Sequence, residues 1–159
     1  MKEIVDYIIQ FLLYGHAEAA KQVGYTADEA EWQNYRVVIV PNGQLGKEIV
    51  MPELDRCAVE RYAVVGGSAS PEDDAITRYV IRTDIVYNTF FFISRAEEVM
   101  NTERDEHGRF LAKYSILGQN NRLMIPTVDE YARMLMKLLD LPLPTPSFSQ
   151  IYLTHDIDT

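Results

Sequence analysis

Arg36-Val37-Val38-Ile39-Val40 is the segment that most restricts what this chain can fold into. β-Branched side chains fit a pleated sheet, and an apolar run without alternation leaves no face for water. Such a run suits a strand covered on both sides. Pro41-Asn42-Gly43 follows at once and turns the chain. Further short strands are expected at Ile49-Val50-Met51, at Tyr62-Ala63-Val64-Val65 before Gly66-Gly67, and at Tyr79-Val80-Ile81. Strands interspersed with helices make the chain α/β or α+β. The buried run favours the α/β class, a mixed sheet flanked by helices in a single compact domain.

The helices are read from periodicity. Ile4, Ile8, Phe11 and Leu12 repeat at helical spacing, which predicts an amphipathic helix over 3–14 that stops near Gly15. His16 to Glu31 is polar and reads as a second short helix or an ordered loop. The strongest pattern is 84–100, with Ile85, Thr89, Phe92, Ile93, Ala96 and Met100 on one face and Asp84 placed to cap the start. In Phe90-Phe91-Phe92, the expectation is core packing plus one exposed or partner-facing ring. Thr127-Val128-Asp129-Glu130 has the form of a capping box opening a helix that carries Val128, Tyr131, Leu135 and Leu138 to about Asp140.

The clearest boundary is Leu141-Pro142-Leu143-Pro144-Thr145-Pro146, where closely spaced prolines forbid helix and favour a stiff extended linker. The expected division is a domain over 1–141, a linker over 142–149 and a separate segment over 150–159. In that last segment Gln150-Ile151-Tyr152-Leu153 alternates like a strand and runs into Thr154-His155-Asp156-Ile157-Asp158-Thr159.

At 159 residues the chain supports one core. Its 47% hydrophobic and 25% charged content is ordinary for a globular protein. The formal charge of −9 argues against nucleic acid, because phosphate binding needs a basic face. The lone Cys57 excludes an intramolecular disulfide and reads as a small buried residue rather than a nucleophile. No run is long enough to span a membrane, and Met1-Lys2-Glu3-Ile4-Val5-Asp6 does not open like a secretory signal, so the cytoplasm is the default expectation.

Three groups of residues bear on chemistry. Asp156 and Asp158 stand one residue apart at the end of a strand pattern, where a turning backbone can bring both to one site. They can then divide the roles of general base and divalent-metal ligand, with His155 beside them. By motif alone, a charged chain end is the better reading, because two aspartates so spaced are common. Asn101 to Phe110 mixes both charge signs around Gly108. Its functional reading is a binding loop for a sugar or a partner, using His107 and Arg109; its bland reading is a solvated turn in which Asp105 or Glu106 pairs with Arg109, and the bland one carries more weight. Gly66-Gly67-Ser68 lacks the lysine and the spacing of a phosphate loop, and Ser70-Pro71-Glu72-Asp73-Asp74 reads as an acidic loop or helix start.

The order of segments adds a resemblance. Asp84-Ile85 opens an aromatic-rich helix, followed by Ile93-Ser94-Arg95-Ala96-Glu97-Glu98, Asp105-Glu106-His107-Gly108-Arg109-Phe110 and Ile125-Pro126-Thr127-Val128-Asp129-Glu130-Tyr131. With the terminal Leu153-Thr154-His155-Asp156-Ile157-Asp158, this resembles the N-terminal region of bacterial polysaccharide deacetylase-like proteins, the NodB-homology carbohydrate esterases. The resemblance covers residues 80–159, while 1–79 match in broad character alone. It implies a following metal-dependent (β/α) barrel, with Asp156 matching its base and Asp158 a ligand of zinc or another divalent metal. The metal's histidine ligands and the family's later acid are not in this chain, so no cofactor is expected here. The chain is then expected to be cut at the start of the barrel. The expected function is a non-catalytic accessory domain that packs on a deacetylase-like domain in cis or positions polysaccharide for it. The alternative is a free-standing acidic protein–protein interaction domain. A small enzyme built around His107 ranks last.

Overall fold

The computed structural model describes residues 1–54, 57–63 and 77–144. Helix α1 (Lys2–Leu12) and the one-turn α2 (Ala17–Ala20) lead into strand β1 (Val23–Tyr25). A 3-10 segment (Glu29–Asn34) crosses to β2 (Val37–Ile39), and β3 (Val59–Ala63) and β4 (Thr77–Ile81) complete the sheet. The chain then forms α3 (Ile85–Ile93), α4 (Ala96–Met100), α5 (Ile116–Gln119) and α6 (Thr127–Leu138).

The sheet order is β1-β2-β4-β3. β1, β2 and β4 are parallel, with Val37 opposite both Val23 and Tyr79, and β3 runs antiparallel along β4 with Val59 opposite Ile81. This is the mixed α/β sheet expected from the apolar run. Val37, Val38 and Ile39 are all buried because β2 is central and covered on both faces. Val37 and Ile39 join Val5, Ile8, Ile9 and Leu12 of α1, Ile85 and Val86 of α3, and Leu135 and Met136 of α6 in the main core. Val38 and Val80 face the other way, against Trp32. On that side the Tyr35 ring lies on Gly24, leaving no room for a Cβ there.

Four expectations are corrected. Within the polar 16–31 stretch, expected to be a short helix or loop, Val23-Gly24-Tyr25 forms strand β1: it is too short to show alternation and pairs because β2 offers it a partner. Ile49-Val50-Met51 is not a strand. The Val50 backbone is satisfied elsewhere: the Tyr87 hydroxyl donates to the Val50 carbonyl at 2.6 Å and accepts from the Val50 N–H at 3.0 Å. The 84–100 helix is broken at Arg95, which adopts a left-handed conformation with φ 55°, its N–H on the Phe92 carbonyl and its side chain paired with Glu98. Ile93 before the break and Met100 after it are exposed rather than on the core face, and Phe91 is the fully buried ring of the triple. Finally, Thr127 does not form a capping box. The α6 ladder starts from the Pro126 carbonyl, Thr127 is buried, and the Glu130 side chain reaches Arg122 instead.

Asp84 does cap α3, accepting from the Tyr87 N–H at 2.9 Å. Its other oxygen accepts from the Tyr25 hydroxyl and the Asn42 N–H, each at 2.9 Å. The carboxylate therefore ties the end of β1 and the loop after β2 to the first turn of α3. Burial raises its pKa, and the hydrogen bonds from Tyr87, Asn42 and Tyr25 pull the other way. Asparagine presents one acceptor and an NH₂ there, so Asp84→Asn should cost about 1–3 kcal/mol in urea melts. Because the folded-state pKa is raised, the native state holds the proton longer than the unfolded chain does. Wild type should therefore lose part of its advantage over Asp84→Asn as pH rises from the ordinary carboxylate value through the raised one. An advantage that grows with pH in that window would contradict this account.

Candidate functional site: an apolar helical face

Helix α1 is apolar on two sides. Val5, Ile8, Ile9 and Leu12 are buried in the core. Ile4, Tyr7, Phe11 and Tyr14 lie on the other side with 40%, 60%, 45% and 48% of their surface exposed. The face expected from the sequence, Ile4-Ile8-Phe11-Leu12, is thus split: Ile8 and Leu12 point inward, Ile4 and Phe11 outward. The exposed stripe has the 3-4-3 spacing by which one helix meets another, a signal present in the sequence. Tyr7 and Phe11 stack with ring centroids 6.3 Å apart.

Two grooves run along this stripe. One of about 320 Å³ lies between α1 and α3, lined by Ile4, Tyr7, Phe90 and Ile93 with Glu3 at its edge. The other, of about 420 Å³, is lined by Phe11, Tyr14, Ile93, Val128 and Ala132 with Asp129 at its edge. Ile93 lines both and is 39% exposed, so they join into one apolar face across α1, α3 and the start of α6. Contiguous apolar surface of this kind marks an interaction site more often than chance exposure does.

Tyr14 ends α1 in an unusual way. Its φ is 50°, in a region that glycine favours, and Gly15 follows at 80°. The Gly15 N–H bonds the Gln10 carbonyl at 2.8 Å and the Tyr14 N–H bonds that of Phe11, the paired bonds of a Schellman ending with tyrosine in glycine's place. The hydroxyl donates to Asp129 at 3.2 Å, and partial burial together with Asp129 holds its pKa above the usual value. A bulky residue in strained backbone at the rim of a groove is the pattern expected where a side chain is kept for contact rather than for stability.

The 101–110 segment carries the expected ion pair between Asp105 and Arg109. Asp105 accepts from the His107 and Arg109 N–H groups at 2.9 and 2.8 Å and from Arg109 Nε at 3.0 Å. Those bonds from Arg109 and His107 hold its carboxyl below the usual carboxylate range. His107 and Arg109 are brought together around Asp105, and neither lines the apolar grooves. Arg104 lies over the Phe110 ring at 5.4 Å. Cys57 packs against the main core, and burial pushes its thiol up, the opposite of an activated nucleophile. His155, Asp156 and Asp158 lie outside the described residues, as do Gly66-Gly67-Ser68 and the acidic 70–74 segment. Among the described residues no group of three or more His, Cys, Asp or Glu is placed to hold a metal, and no helix is long and apolar enough to cross a membrane.

Replacing Tyr14 by glycine relieves the left-handed strain, and the fold should gain about 1 kcal/mol in chemical denaturation. Tyr14→Ala keeps the strain and should show no such gain. If Tyr14→Gly proved less stable than wild type, the ring would be a structural element and not a residue held for contact.

Comparison with curated proteins and with solved structures gives no significant match. Residues 2–144 match DUF7033, a family of unknown function. The match takes in every described helix and strand from α1 to α6, and the chain belongs to that family.

Proposed function

We propose that this chain is a non-catalytic docking domain that packs through its α1–α3–α6 face on another folded unit, a deacetylase-like domain following in cis. The observation that carries the reading is the continuous apolar face joined at Ile93. A specific interface of ordinary size covers about 800 Å² on each partner, with an apolar centre and a polar rim. The stripe of Ile4, Tyr7, Phe11 and Tyr14 beside Phe90 and Ile93 supplies such a centre. Direct glycan binding is the weaker form of the idea. Sugars need convergent hydrogen-bonding groups, and the groove between α1 and α3 offers Glu3 and Ser94 among apolar side chains. In this reading Asp156 and Asp158, with His155, belong to the neighbouring domain's divalent-metal site, with zinc as the metal. The net charge of −9 favours the second reading, an acidic domain that meets its partner in trans.

The test uses the endogenous protein. Its intact mass should exceed 18.3 kDa, and residues 2–15 should exchange amide hydrogens more slowly in it than in the 159-residue chain alone. A longer product with unchanged exchange across α1 would defeat docking in cis. A product of 18.3 kDa would leave the partner in trans.

A further inference from the structure

We propose that the occupant of this face is an amphipathic α-helix whose apolar stripe is bracketed by lysine or arginine at both ends. The inference rests on the docking reading and names the partner that reading leaves open. Spacing argues for a helix: Ile4, Tyr7 and Phe11 repeat along α1 as one side of a helix–helix seam, Tyr14 continues the stripe past the helix end, and the grooves lie beside them.

Charge argues for the ends. Glu3 and Asp129 are the charged residues that line the two grooves, and both are acidic. Glu3 is in the first turn of α1, and Asp129 touches Tyr14 beyond its last turn. About eleven residues of helix separate the two ends, or about 16 Å. Residues so spaced on a partner helix fall on one side after three turns, so two cations can meet both acids while apolar side chains fill the grooves between them. Lys2, at the same end of α1, lines a separate crevice with Asp6 and Lys21. Arg133 acts on Tyr14 less strongly than Asp129 does and lines neither groove. Neither Glu3 nor Asp129 is in an ion pair among the described residues.

The same two acids disfavour other occupants. Antiparallel pairing of two copies through α1 sets Glu3 against the other copy's Asp129, and parallel pairing sets like ends together, so self-association meets like charges either way. An anionic membrane surface is repelled for the same reason.

The experiment measures binding to two synthetic amphipathic helices of about four turns, identical in their leucine stripe but with lysine or glutamate at both ends. The lysine peptide should bind about tenfold tighter at physiological salt, from two rim contacts of modest strength. The double variant Glu3→Lys/Asp129→Lys should reverse that preference. The same charge change elsewhere, Glu31→Lys/Glu103→Lys, should leave it in place. A scrambled lysine peptide should not bind, and Phe11→Glu should abolish binding of the patterned one. Equal loss in both double variants would show attraction to net charge and overturn the proposal. Equal binding of both peptides that is sensitive to Phe11→Glu would overturn it too, while leaving the docking face intact. No binding by either peptide, with α1 protected in the longer protein, would also sink the helix assignment but not docking. Concentration-dependent dimers broken by Phe11→Glu would replace the helix with a second copy.

Discussion

The buried carboxylate of Asp84 is the contact on which the rest of the arrangement hangs. It sits just past the carboxyl end of β4, beside the equivalent ends of β1 and β2, and accepts from Tyr25, Asn42 and Tyr87 at once. A buried carboxylate is costly unless its oxygens are satisfied, and satisfying them here fixes three chain segments relative to one another. Helix α3 starts where those bonds place it. From α3, Tyr87 and Asn88 hold the 41–54 loop through the backbone of Val50 and Glu53, and Asn88 reaches the Tyr131 hydroxyl of α6 at 3.1 Å.

Polar side chains on one helix thus position a loop and a second helix, while apolar ones fill the core. The consequence for the surface is direct. α1 lies over α3 and α6 and can bury a single side, so its second apolar side stays outside. That leaves Ile4, Tyr7 and Phe11 at the surface beside Phe90 and Ile93. The left-handed Tyr14 extends the stripe past the helix end and meets Asp129 at the start of α6.

Several of these features were legible in the residues. The run Val37-Val38-Ile39 identified the central strand, since only a strand covered on both faces tolerates unbroken β-branched side chains. Asp84 was readable as a cap because it stands directly before an apolar helical pattern. Asp105 with Arg109 was readable as a turn pair around Gly108. The break inside the 84–100 pattern was not readable. Helices α1, α3, α5 and α6 are each followed by a left-handed residue that is not glycine, at Tyr14, Arg95, Asn121 and Asp140. Tyr14 stands beside Gly15, where the first helix is expected to stop, whereas Arg95 carries no turn signal, so a periodicity that continues through position 95 reads as one helix.

By itself, then, the sequence determined the elements with strong local preference: the buried strand, the capped start of α3 and the first helix, expected over 3–14 and formed over Lys2–Leu12. Such elements follow from side-chain shape and hydrogen bonding over a few residues. Tertiary structure decided the rest. β1 exists because β2 pairs with it, Val50 is not in a strand because Tyr87 claims its backbone, and α1 hides one of its two apolar sides. Which side is hidden depends on where α3 and α6 lie, and that is set by core packing across more than a hundred residues, such as Ile8 and Leu12 of α1 in one buried cluster with Leu135 and Met136 of α6. The apolar face that α1, α3 and α6 present together is therefore a property of the packed molecule, although the residues that compose it are plain in the chain.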